Sequence, residues 1–231
     1  MALFGLDCFE AMVAEGLDID GYVFLSQVFR SIVPVLLDEP LTLTGHVRSL
    51  AEVNKGHLVT EAFHFTNARD EVCIETELRG LLTDDPGLRG VDRSHAPRIP
   101  EQERLPDVRW THLRDKQLTP QKVRVFSQDI GNLIHFDEDY ARSHGFRAPL
   151  AQGVMSAVWL LSTLVEERVP TSFEVEFRYL RPVFWDSPAS LWVHRASDGT
   201  IRMAQSRNDE GKPTADMIVH AVSFAPPCTG K

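Results

Sequence analysis

The 231-residue chain has no apolar run long enough to span a bilayer, few cysteines, and no surplus of basic charge. Each shortage excludes something. A membrane-spanning helix needs about 20 consecutive apolar residues, so no membrane partner is expected. Cys8, Cys73 and Cys228 are odd in number and lack metal-ligand spacing. They read as reduced thiols, with no disulfide framework, metal or other cofactor expected. With 24 Lys and Arg against 33 Asp and Glu, the formal net charge is −9. Nucleic-acid and anionic-membrane binding need a basic footprint and are disfavoured. The opening MALFGLDCFEAMVAEG places acids where a secretion signal needs bases, so a cytoplasmic protein is the expectation. What is present is ordinary for a globular chain: 43% apolar and 25% charged residues, enough for one large domain or two small ones.

The chain repeats itself. Phe29 to His46 reads FRSIVPVLLDEPLTLTGH, and Phe177 to His194 reads FRYLRPVFWDSPASLWVH. At a constant offset of 148 (177 − 29) they share Phe, Arg, Pro, Val, Asp, Pro, Leu and His without a gap. Each copy follows an apolar, helix-like segment, LFGLDCFEAMVAEGL or GVMSAVWLLSTLVEE. Each precedes alternating runs suited to strands: HLVTEAFHFTN and VCIETELRGLL, then TIRMAQSR and ADMIVHAVSF. Helices are expected near Asp7–Ala14 and Val154–Glu166. The Pro34-Asp38-Pro40 and Pro182-Asp186-Pro188 elements read as turns between strands, because proline removes ladder donors. This organisation resembles an α+β tandem, or double, hotdog fold, each half an antiparallel sheet wrapped around a long helix. The expected division is 1–83 for a trimmed first unit, 84–118 for a linker lying over a sheet through Trp110, and 119–231 for a second unit opening on a strand, KVRVFS. The two sheets are expected to join edge to edge, giving a monomer or a homodimer of double hotdogs.

Only the second half carries the motif IHFDEDYARSHGFRAPLAQGVM. It resembles the MaoC-like dehydratases, which include R-specific enoyl-CoA hydratases, at Asn132, Ile134, His135, Asp137, Tyr140, Ala141, Gly145, Phe146, Pro149, Gly153 and, one residue late, Met155. The resemblance implies reversible hydration of a 2-enoyl thioester carried on coenzyme A or an acyl carrier protein. In that chemistry an imidazole and a carboxylate move protons. A helix N-terminus stabilises charge on the thioester oxygen. By position, His135 is the proton-transfer residue and Gly153 supplies the oxyanion N–H. With no motif in the first half, that half would enclose the acyl tail, suiting a long, bulky or polyketide-type chain.

Two departures from the family pattern stand out. The family's catalytic aspartate falls on Ile130, and the nearest acid, Asp129, is either that acid displaced by a bulge at Gly131, a solvated loop acid, or a helix cap. Gln152 replaces a histidine before the glycine, so it can bind substrate by hydrogen bonds but cannot titrate. Asn132 either braces the loop or touches substrate, and Asp137 reads as an acid at a helix start. Arg30 and Arg178 either pair with the turn aspartates or, for Arg178 together with Arg181 or Arg147, hold the anionic carrier. His46 and His194 occur in both copies and read as structural. Ser127 and Ser156 lack a nucleophile-elbow setting. The competing functions are a hotdog thioesterase, faintly suggested by Asp129-Ile130-Gly131-Asn132, and a non-hydratase scaffold or partner subunit binding an acyl or related ligand.

Overall fold

Helix α1 (Phe4–Ala14) buries Gly5, Cys8 and Met12, a spacing of three and four that lines one helix face. In the computed structural model, residues 4–16, 22–53, 56–82, 108–127, 132–166 and 168–225 are described. After α1 come β1 (Tyr22–Ser31), β2 (Thr42–Val53), β3 (Gly56–Thr66) and β4 (Val72–Leu82). The second half contains β5 (Thr111–Gln117), α2 (Pro120–Ser127), a 3-10 turn (Leu133–His135), α3 (Glu138–Ser143) and α4 (Gly153–Val165). It closes with β6 (Pro170–Tyr179), β7 (Pro188–Arg195), β8 (Ile201–Arg207) and β9 (Pro213–Phe224).

All these strands join one nine-stranded sheet in the order β2-β3-β4-β1-β6-β9-β8-β7-β5. Every pairing is antiparallel. The seam is β1 against β6, the two strands that carry the repeat. Its register pairs Ser26 with Arg178 and Arg30 with Glu174. Moving each residue of the first pair by the repeat offset gives the second (26 + 148 = 174; 178 − 148 = 30), so the seam is unchanged when the halves are exchanged. Phe29 and Phe177, equivalent in the repeat, are both fully buried. They belong to one core cluster that also takes in Cys8, Met12, Leu78, Leu160 and Met217. Helix α4, apolar on most of its surface, packs on β6, β8 and β9.

Two expected elements are different. KVRVFS forms the end of helix α2, not a strand. Thr119 and Pro120 start it: Val123 N–H donates to the Thr119 carbonyl at 3.1 Å, and proline suits a first helical position. Only Val123 and Ser127, one turn apart, are buried. Thr111–Gln117, read as linker, is the edge strand β5, paired with β7. Its alternation is polar, so its strand character comes from the open edge of β7. Trp110 lies 5.5 Å from the guanidinium of Arg207 on β8. Residues 83–107 and Cys228 lie outside the described residues.

Candidate active site

His135 closes the 3-10 turn that Asn132 begins. The Asn132 carboxamide oxygen accepts from Ile134 N–H at 3.2 Å, capping the turn. The next segment holds the imidazole: Leu150 N–H donates to the Ile134 carbonyl at 3.1 Å, and the Leu150 carbonyl lies 2.9 Å from His135 Nδ1. A carbonyl only accepts, so Nδ1 carries the proton and Nε2 keeps its lone pair. Burial pushes the imidazole pKa down to about 4, against the smaller upward pull of the Leu150 carbonyl. His135 is therefore a neutral, oriented imidazole.

The same segment fixes the start of α4. Ala151 N–H donates to Val183 at 2.7 Å and Trp185 N–H to Pro149 at 3.0 Å, clamping residues 149–151 between the His135 turn and the loop before β7. Below the clamp, Leu118, Val123, Ala148 and Trp185 form a small separate core. Helix α4 then begins at Gly153 with no acidic residue in its first turn. A first-turn N–H has no intrahelical acceptor, and the helix dipole favours negative charge there. Gln152 precedes it, only 4% exposed, and makes no cap with its side chain. Neither amide atom of Gln152 has a hydrogen-bond partner among the described residues. Such burial costs about 1–3 kcal/mol per group. A cavity of about 20 Å³, lined by Lys116, Ala151, Met155, Ser156 and Trp159, lies beside the helix start. That is room for about one water.

A Cβ added at Gly153 would stand 3.1 Å from Tyr179 Cε1 and 3.2 Å from Phe24 Cδ1. Neither aromatic is signalled by the motif. Phe24 reaches this place through a β-bulge: the register slips between Phe24 and Ser26, so Phe24 opposite Gly80 and Gln27 opposite Leu78 face the same side. A bulge of this kind has no mark in the sequence.

The other candidates separate. Asp137 caps α3, accepting from Tyr140 N–H at 2.8 Å. Asp129 lies outside the described residues. Strand β6 turns Val175, Phe177 and Tyr179 to the core, so Arg178 lies on the opposite face, 2.8 Å from Glu176. The pairing of Arg30 with a turn aspartate is corrected, since Arg30 bridges Glu75 and Glu174 at 3.5 and 3.3 Å. Asp186 is gripped instead by both guanidinium nitrogens of Arg147, at 2.8 and 3.0 Å, which holds its carboxyl below the usual range. Arg181 is exposed and donates to the Pro213 carbonyl. His194 Nδ1 lies 3.1 Å from the Arg109 carbonyl, and His46 is an exposed residue of β2.

Sequence and structure comparisons bear on the family and the fold. A model of the hydroxyacyl-thioester dehydratase type 2 family matches residues 23–185. No curated protein matches significantly. HtdX from Mycobacterium tuberculosis superposes with a TM-score of 0.72 at 21% identity, over 94% of this chain and 84% of that one. A MaoC-like dehydratase from Phytophthora capsici gives 0.64 at 20% identity, over 90% and 74%. An acyl-ACP thioesterase from Bacteroides thetaiotaomicron gives 0.60 at 10% identity, over 95% and 88%. At these identities the likeness is one of fold, and that fold is hotdog-like.

Proposed function

The chain belongs to the hydroxyacyl-thioester dehydratase type 2 family, and we propose that it interconverts 3-hydroxyacyl and 2-enoyl thioesters at a site made by His135, Gly153 and Asp129. One observation carries the reading: His135 is held neutral by burial, with Nδ1 tied to Leu150 and Nε2 left as a base. In the dehydration direction, His135 and Asp129 divide two proton transfers. One removes the α-proton, and the other protonates the departing 3-hydroxyl, releasing water. Charge building on the thioester oxygen is met by the Gly153 N–H. The Gln152 amide would donate a hydrogen bond from Nε2 to that oxygen and accept one from the 3-hydroxyl at Oε1. Asn132 serves as the loop brace that sets the His135 angle.

Coenzyme A or an acyl carrier protein supplies the thioester. Arg181, exposed two residues beyond Tyr179, would meet its anionic part. We read the sheet as two hotdog units, 1–83 and 119–231. The connecting 84–118 lends the edge strand β5. The invariance of the β1/β6 register under exchange of the halves supports this division.

The test uses crotonyl-CoA, following both loss of enoyl absorbance and release of free thiol. Hydration without thiol release is expected. Thiol release without hydration would replace the reading with a thioesterase. His135→Ala should abolish turnover and shift Tm by only about 2–4 °C, the effect of one lost hydrogen bond in a chain of this size. Asp129→Asn should slow turnover by roughly two orders of magnitude. Full activity in His135→Ala would end the proposal.

A further inference from the structure

The start of α4 faces an aromatic wall built by the seam of the sheet. Phe24 on β1 and Tyr179 on β6 stack with ring centroids 4.5 Å apart. Both rings lie against Gly153, at 3.1–3.2 Å from the position a Cβ would take. The Cα–Cβ direction and the N–H of a helical residue both tilt toward the helix N-terminus. An oxygen bound to the Gly153 N–H would stand on the side of these rings, and they would be the first surface an acyl chain meets. Gly153 and Phe24 are only partly buried.

The two rings are held differently. The Tyr179 hydroxyl donates to Gln27 Oε1 at 3.5 Å, Gln27 Nε2 donates to Thr76 Oγ1 at 3.0 Å, and Thr76 donates to the Val28 carbonyl at 3.0 Å. Gln27 is completely buried, so swinging Tyr179 away would strand its amide oxygen without a partner. Phe24 is held by contact alone, with Phe9 edge-on at 5.4 Å and Tyr179 behind it. Tyr179 is the fixed part of the wall and Phe24 the part that sets its reach.

We propose that this wall restricts the thioester to a short acyl chain, with Phe24 as the residue that determines the limit. The proposal rests on the dehydratase reading and reverses the long or polyketide-type chain expected from the sequence. A chain long enough to displace a packed ring loses binding, and such a misfit is worth roughly tenfold or more in specificity.

The experiment has two arms on the intact protein. In the first, kcat/KM is measured for crotonyl-, hexenoyl- and dodecenoyl-CoA with wild type, Phe24→Ala and Phe24→Leu. Wild type should fall by at least roughly tenfold from crotonyl to dodecenoyl, and Phe24→Ala should flatten or invert the series, with Phe24→Leu between. In the second arm, calorimetric binding of butyryl- and lauroyl-CoA gives the same ranking without turnover. Wild type that prefers lauroyl-CoA, or a folded Phe24→Leu that leaves the ranking unmoved, would overturn the wall. Binding that follows the expected ranking with no turnover of any enoyl thioester would leave the wall standing and remove the dehydratase reading.

Discussion

Lowering the pH tests the chemical state of His135 directly. An ordinary imidazole is half protonated near pH 6.5, whereas His135 is held down to about 4 by burial. At pH 6.5 less than about 1% of it carries the extra proton. If Nε2 is the base, kcat/KM for crotonyl-CoA hydration should stay level from about pH 8 to about pH 5 and halve only near pH 4. The same group affects stability with a defined sign. The unfolded chain takes up a proton near pH 6.5, while the folded chain refuses it until about 4, so this contribution is complete above 6.5 and is lost as pH falls toward 4. At about 1.4 kcal/mol per pKa unit the full span is roughly 3 kcal/mol, and water reaching the half-buried ring trims it to about 2. Urea unfolding near pH 7.5 and near pH 4.5 should therefore show wild type losing about 1–2 kcal/mol more than His135→Gln, which has nothing to protonate. Histidine ring resonances, assigned by difference from that variant, give the titration itself. An acidic limb and a ring titration both near 6.5 would refute the argument.

Two further substitutions test the frame around the site. Gly80→Ala would place a Cβ 2.0 Å from Tyr22 Cζ, in the space the ring uses to reach Glu61 across β4. The ring must leave and the 3.0 Å bond to Glu61 breaks. A change that favours an ordinary strand should here cost about 2–4 kcal/mol, and much less in a Tyr22→Leu background; equal costs in both backgrounds would disprove the packing. Glu61 is 3% exposed, and burial raises its pKa above the usual carboxylate value. Its contribution is intact below that value and lost as pH rises, so Glu61→Gln, which keeps an acceptor for Tyr22, should melt higher than wild type near pH 8 and converge with it near pH 4; a constant difference across that range would contradict the sign.

The sequence by itself determined the elements with strong period and named the candidate residues of the motif. Helix α4, strands β3, β4, β8 and β9, and the repeat at offset 148 are local or near-local patterns, and each is found where the pattern puts it. His135, the Asp137 cap and the glycine at the start of α4 are likewise readable, because residue type and spacing carry them. Tertiary structure decided the rest. KVRVFS has the alternation of a strand, yet the Thr119-Pro120 start and the small core at Val123 fold it as a helix. THLRDKQ has little β preference of its own and pairs because β7 offers an open edge. Arg178 stands next to a core residue in sequence but on the far face of the sheet, since successive strand side chains point to opposite sides. Above all, Phe24 and Tyr179 are 155 residues apart (179 − 24) and meet at Gly153 only because β1 and β6 pair at the seam and a bulge turns Phe24 inward. A sequence records which side chains are available; which of them share one pocket depends on long-range register, and register is a property of the whole sheet.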